Sequence, residues 1–261
     1  MKSLSIASTG MLAQQTNVDV IANNIANMNT TGFKRQRPEF QDLLYQNLAE
    51  IGVTSSDSGT VVPSGVQLGT GVRTASVYRI TEQGNLVSTG NSLDLAIQGK
   101  GFFTVELPNG DTAYTRAGTF QLSPQGQIVT LDGFTVSPGV TIPAEARSIS
   151  INASGEVEVK LDGQVTPQNV GQIELATFAN EAGLEAIGDN LLLESAASGP
   201  ASTSTPGSAG YGTLQQGFLE TSNVDAVSEI TSLISAQRAY ELNSKVITTA
   251  DEMMAAVSQL R

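Results

Sequence analysis

The chain has 261 residues with 13 basic and 25 acidic side chains and no His, Cys or Trp, so its formal charge is -12. This excludes disulfides, thiolate nucleophiles, cysteine-type zinc sites, histidine-based triads and haem ligation. The acidic balance also argues against sequence-independent nucleic-acid binding, which needs clustered Lys and Arg.

The amino terminus, MKSLSIASTGMLAQQ, has no signal-peptide apolar core, and no apolar run approaches the ~18 residues of a membrane span. Residues 1–37 carry Lys2, Lys34, Arg35 and Arg37 against Asp19, a net +3. Leu4, Met11, Val18 and Ile25 recur every seven residues, with Ala7, Gln14, Ile21 and Met28 three later. That is an a/d seam with one polar intrusion at Gln14 and few flanking charges. It predicts a helix over about 4–28, roughly 37 Å long. The helix should stop near Asn29-Thr30-Thr31-Gly32, where Asn and Gly supply termination chemistry.

The middle is acidic, with 6 basic and 18 acidic residues over 38–219, and reads as β. Asn109-Gly110 separates Phe102–Leu107 from Thr112–Thr115, a hairpin signal. Asn152-Ala153-Ser154-Gly155 separates the alternating stretches Ile149–Ile151 and Val157–Leu161. Pro124-Gln125-Gly126, Asp132-Gly133 and Asp162-Gly163 add turns, so an antiparallel sheet or irregular barrel is predicted. Residues 46–70 and 195–213 read as loose loops; in the latter, 18 of 19 residues are Ser, Ala, Gly, Thr or Pro. Gly99-Lys100-Gly101 lacks phosphate-loop spacing and reads as a turn.

Residues 220–261 repeat the first pattern. Leu233, Tyr240, Ile247 and Met254 are seven apart, with Ala236, Asn243, Ala250 and Val257 three beyond. A helix over about 224–259, roughly 54 Å long, is predicted, with Ser222 or Asn223 as N-cap. A second apolar stripe runs through Leu242, Val246, Met253 and Leu260. The expected fold is α+β: terminal helices form a coiled-coil-like inner domain, and a β-rich antiparallel domain is inserted between them. The expected division is helix over 1–30, connector with a hairpin-like stretch over 31–75, β-rich domain over 76–220 and helix over 221–261. Pairing the two seams leaves the second stripe uncovered, which marks an interaction surface. The expected assembly interface is therefore Leu4, Ala7, Met11, Val18, Ile21, Ile25 and Met28 with Leu233, Tyr240, Leu242, Val246, Ile247, Met253, Met254, Val257 and Leu260.

The segment Ala22-Asn23-Asn24-Ile25-Ala26-Asn27-Met28-Asn29-Thr30-Thr31-Gly32-Phe33-Lys34-Arg35 resembles the N-terminal signature of flagellar rod and hook axial proteins. Thr221-Ser222-Asn223-Val224-Asp225, with Gln237-Arg238-Ala239-Tyr240-Glu241 and Asn243-Ser244-Lys245, resembles their C-terminal signature. Gly99–Phe103 and Tyr114–Gly118 are similar to the family's middle, and Pro63–Arg73 points to its distal-rod group. The motif residues carried over are Asn23, Asn24, Asn27, Asn29, Gly32, Phe33, Lys34, Asn223, Gln237, Arg238, Glu241, Asn243 and Lys245.

The resemblance implies a structural subunit, not an enzyme, without cofactor, metal or membrane insertion. It implies helical stacking of copies into a rigid hollow shaft across the periplasm that transmits motor torque to the hook. Terminal helices would line the inner tube, the β domain facing outward. The implied partners are copies of itself, proximal rod proteins, the hook protein, the P-ring and L-ring proteins as bushing, and the flagellar type III export apparatus, with export lacking a cleaved signal. The stretch around 46–66 is expected to contact neighbours and straighten the shaft. A proximal rod or hook subunit, or a monomeric β-rich binding module, are the alternatives.

Overall fold

The computed structural model describes residues 2–49, 64–162 and 166–259. The chain has the expected α+β architecture, with a helix at each end and a β-rich antiparallel middle. It divides into two compact units: residues 1–25, 36–78 and 225–261 form the first, residues 26–35 and 79–224 the second.

In the first unit, α1 spans Lys2–Ala26 and α2 spans Ala226–Gln259. Both are proline-free and rich in Ala, Leu, Gln and Ser, and only Gly10 interrupts α1. The helices pair antiparallel. Asn24 Nδ2 lies 3.3 Å from Glu229 Oε2, while Gly10 faces Asn243 further down α1. Ser3, near the start of α1, shares a shallow groove with Val246, Ala250 and Met253. A methyl on Gly10 would sit 3.0 Å from Asn243 Nδ2, so the absence of a side chain permits the close approach.

The α1 face is wider than the predicted seam. Ala7, Ala13, Val20, Ile21 and Asn24 are buried, while Leu4, Met11, Val18 and Ile25 are only half-buried. Two neighbours cause this. Thr9 Oγ1 meets the backbone N–H of Val72 at 3.3 Å, whereas Gly10 meets α2. Ala13 and Val20 stand on the Thr9 side of the helix, and Ala7 and Ile21 on the Gly10 side, by the 3.6-residue period. Met28 falls beyond the helix end and is exposed.

On α2, Glu229, Ala236 and Ala250 are buried and Leu233, Asn243 and Ile247 half-buried. Its N-cap is Asp225, whose Oδ1 accepts the Ser228 N–H at 2.7 Å, rather than Ser222 or Asn223. The acidic side chain also suits the positive end of the helix dipole. Strand Gln36–Asp42 pairs with Val72–Arg79, and strand Tyr45–Ala49 pairs antiparallel with Val66–Gly69. The expected neighbour-contacting stretch is thus hairpin at its base, and its residues 50–63 lie outside the described residues.

The second unit is built on strand Phe102–Glu106. One edge pairs with Thr112–Thr115 across the predicted Asn109-Gly110 turn. The other edge is shared between Leu175–Thr177 and Thr135–Val136. A nine-stranded sheet results, and Ala146–Ile151, Glu156–Leu161 and Gln168–Gln172 form a separate three-stranded sheet. The first two of these are joined by the predicted Asn152–Gly155 turn. Gly163 of the predicted Asp162-Gly163 turn lies outside the described residues.

Phe102, Phe103, Thr104 and Val105 are all buried, so the central strand is covered on both faces. On one side lies an aliphatic cluster including Leu95, Ile97, Val157, Val159, Ile173 and Leu175, with Phe103 edge-on to Phe120 at 5.0 Å. On the other, Phe178 packs edge-on against Phe102 at 6.0 Å and Tyr114 at 4.7 Å. Each such side chain contributes about 1.5–3 kcal/mol by leaving water.

Residues 195–213 are not the loose loop that their composition predicts. Ser202–Ser204 pairs with Leu175–Thr177, and Ser195 Oγ donates to the Gly183 carbonyl at 2.6 Å. Tyr211 donates to the Ser202 carbonyl at 2.9 Å. Small residues lower local propensity but also let backbones approach, and hydroxyls satisfy the turn's polar groups.

Candidate functional site: helix faces and a buried charge junction

In the first unit α2 carries exposed apolar side chains along its length. Val227, Ile230, Ile234, Leu242, Val246 and Met253 are exposed, Leu242 at 65%. By helical period Val227, Ile230 and Ile234 lie opposite Glu229, Ala236, Asn243 and Ala250, which face α1, whereas Leu242, Val246 and Met253 flank that line beside the start of α1. The second stripe read from the sequence is therefore uncovered within the chain. Tyr240 and Met254, assigned to the seam, are exposed instead, Tyr240 at 45%. Val257 lies in the helix without a described side chain, and Leu260 lies outside the described residues. Gln237, Arg238, Glu241 and Lys245 point to solvent.

The signature asparagines have specific partners. Asn24 Oδ1 accepts the Gln36 N–H at 2.8 Å and its Nδ2 donates to the Gln36 carbonyl at 2.9 Å. One side-chain amide thereby reads both polar groups of a backbone residue, as a neighbouring strand would. Asn223 joins two backbone stretches of the second unit: its Oδ1 accepts the Arg35 N–H at 2.7 Å and its Nδ2 donates to the Ile80 and Glu82 carbonyls. Asn27 Oδ1 accepts from Thr30 Oγ1 at 3.1 Å in the turn after α1. Asn23 and Asn29 are exposed, and Phe33 is half-buried. Gly32 has φ +69°, and a methyl there would stand 2.7 Å from the backbone of Arg116 and Ala117.

Beside Gly32 the second unit buries three charges. Glu220, 1% exposed, takes Lys34 Nζ on Oε1 at 2.5 Å and Arg116 Nε on Oε2 at 2.6 Å. The Gly84 N–H also donates to Oε1 at 3.0 Å. Lys34 donates to the Glu82 carbonyl at 2.8 Å, and Arg116 donates to the carbonyls of Ile97, Gly99 and Gly101. Burial acts to raise the Glu220 carboxyl, but Arg116 and Lys34 outweigh it and hold the group below its ordinary 4.5. Burial dominates at Lys34 and lowers it below 10.5, with Glu220 offsetting only part.

The sequence reading named Lys34 but not Arg116 or Glu220 as site residues. The only sequence signal was position, since Arg116 sits in Tyr114–Gly118 and Glu220 immediately precedes the C-terminal signature. Among the described residues no group of three or more acidic side chains is placed to hold a metal ion. No helix among them is long and apolar enough to cross a membrane.

Three family matches cover the two ends and the middle. Residues 4–34 match "Flagella basal body rod protein", residues 96–159 match "Flagellar hook protein FlgE/F/G D1 domain", and residues 215–260 match "Flagellar basal body rod FlgEFG protein C-terminal". Lys34, Arg116 and Glu220 fall one in each match. Over all 261 residues, the chain is 64% identical to the flagellar basal-body rod protein FlgG of Caulobacter vibrioides, covering all of both chains. It is 46% identical to that of Borreliella burgdorferi and 42% identical to that of Bacillus subtilis, in each case over all of this chain and 99% of the relative. The chain thus belongs to the FlgG family of flagellar basal-body rod proteins, as a structural subunit of the rod.

Proposed function

We propose that this chain builds the distal rod, with copies stacking helically into a stiff hollow shaft that carries torque from the motor to the hook. One observation carries the assembly reading: the pairing of α1 with α2 uses small residues and leaves Ile230, Ile234, Leu242, Val246 and Met253 in water. An apolar stripe of this length along a helix is an interaction surface, and sister copies present the complementary one. Burying each Leu, Val or Met contributes about 1.5–3 kcal/mol, so repetition along a polymer is strongly stabilising. The interface comprises this stripe together with Tyr240 and Met254 beside it. Its partners at the two ends of the shaft are proximal rod and hook proteins, with P-ring and L-ring proteins around it. Delivery is through the flagellar type III export apparatus without a cleaved signal. The role is structural, and no reaction is assigned.

The test is a host strain lacking this chain. Basal bodies imaged from it should end before the distal rod, and full-length chain should restore them while a chain lacking residues 1–30 should not. Intact distal rods in the deletion strain would overturn the reading.

A further inference from the structure

We propose that Glu220 is a charge switch for the segment 26–35: ionised, its carboxylate holds that segment on the β unit, and neutralised, it releases it. The reading is independent of how the chain polymerises. Besides the hydrogen bonds from Asn190 Nδ2 to the Thr31 carbonyl and from Lys34 Nζ to the Glu82 carbonyl, four tethers to the rest of its unit bear on the segment. Gly32 N–H donates to the Glu220 carbonyl at 2.8 Å, and Arg35 N–H donates to Asn223 Oδ1. The Arg35 carbonyl accepts the Ile80 N–H at 2.9 Å, and Lys34 Nζ reaches the Glu220 carboxylate. The first three are neutral. The fourth brings a charge into a site where Lys34 is 9% exposed and Arg116 7% exposed.

The charge count makes the carboxylate decisive. Two buried cations share one buried anion. Without Lys34, Arg116 and Glu220 remain a neutral pair, with three carbonyls still satisfying the guanidinium. Without the negative charge on Glu220, two desolvated cations face each other, and the cheaper one to expel is Lys34. Arg116 is locked by its carbonyls, whereas Lys34 sits on a segment that can swing into solvent. The remaining charged side chains around the cleft are Glu82, Glu181 and Lys100, and none of them hydrogen-bonds the Lys34 ammonium through its side chain. Glu181 is the further anion that acts on Lys34 electrostatically, and only weakly. The strand carrying Glu220, Phe218–Glu220, pairs with Leu86–Ser88, which adds no charge.

The experiment is amide hydrogen exchange on the full-length chain, read at Gly32 and Arg35 and at the central strand Phe102–Glu106 as an internal standard. Glu220→Gln keeps the size and the backbone acceptor for Gly32, removes the charge and turns one of the two acceptor oxygens into an amide donor. It should speed exchange at Gly32 and Arg35 at least about tenfold, with the central strand within about twofold of wild type. Lys34→Met loses one tether but leaves Arg116 and Glu220 a neutral pair, so it should speed exchange less than Glu220→Gln does; exchange as fast as in Glu220→Gln overturns the proposal. Glu220→Gln combined with Lys34→Met should recover most of the lost protection, because the second cation is gone. Wild-type chain taken down through the folded Glu220 pKa, which lies below 4.5, with intrinsic rates corrected, should show the same selective release without any substitution. Unchanged exchange in Glu220→Gln overturns the proposal. So does a double variant no better protected than Glu220→Gln alone, or a central strand that loosens in step with residues 26–35 in both the variant and the acid series.

Discussion

The two units solve opposite problems. The β unit encloses large side chains completely: Phe103, Val105, Val157, Val159, Ile173 and Leu175 have no exposed surface. The helical unit buries little beyond Ala7, Ala13, Val20, Ile21, Ala236 and Ala250, and leaves its larger apolar groups in water. An alanine contributes far less than a Phe or Leu on burial, since the gain scales with apolar area. The β unit is therefore a finished fold. The helical unit leaves apolar surface uncovered, which is the physical basis for the proposed assembly through the helices.

The comparison can be broken most severely at Phe103. Phe103→Ala should lower β-unit stability by about 3–5 kcal/mol, measured by denaturant unfolding through Tyr fluorescence and near-UV dichroism. Little change would mean that the β unit is not the enclosed core described. Gly32→Ala comes next, combining a left-handed backbone with a methyl 2.7 Å from the Arg116 carbonyl carbon. A loss of about 1–3 kcal/mol should appear in the β-unit transition.

Acid separates the units by chemistry. Glu220 is held below 4.5 in the folded state, so its contribution is fully present above 4.5 and is lost as pH falls through its folded value. Lys34 is lowered from 10.5, so its charged form penalises folding, and stability rises with pH between its folded value and 10.5. Both groups give the β unit a stability that increases with pH within their windows. Unfolding series across those ranges should show the slopes, and Glu220→Gln should flatten the acid one.

The helix cap is a smaller lever. Asp225→Ala should cost about 1 kcal/mol, seen as lost helical dichroism with the β-unit transition unmoved. Each substitution in the combined Leu242→Ser, Val246→Ser and Met253→Ser variant should move the stability of the isolated chain by no more than about 0.5 kcal/mol, because these side chains are largely exposed. The same variant should raise the protein concentration needed for polymerisation at least about tenfold, measured by sedimentation. Polymerisation at the wild-type concentration would remove Leu242, Val246 and Met253 from the interface.

Local patterns carried much of this molecule. The heptads announced both helices, and Asn109-Gly110 and Asn152–Gly155 announced two hairpins, because period and turn chemistry act over a few residues. The predicted α1 seam was too narrow because a heptad assumes one neighbour, and α1 has two, α2 and the strand containing Val72. Tyr240 was assigned to the seam for the same reason of period, yet Glu229, Ala236, Asn243 and Ala250 are the positions that face α1. Residues 195–213 misled by composition, since the hydroxyls and missing side chains that suggest looseness also permit tight turns.

The order of elements, the terminal helices and the family were determined by the sequence alone, since each rests on residues close together in the chain or on whole-length similarity. The convergence of Lys34, Arg116 and Glu220 was decided only by the tertiary structure. So were the pinning of Gln36 by Asn24 and of Arg35 by Asn223, and the choice of which α2 face stays wet. Lys34 and Glu220 are 186 residues apart, and Arg116 and Glu220 are 104 apart. No local rule relates such positions; the path of the chain through the sheet sets which charges meet, and burial then makes their pairing obligatory.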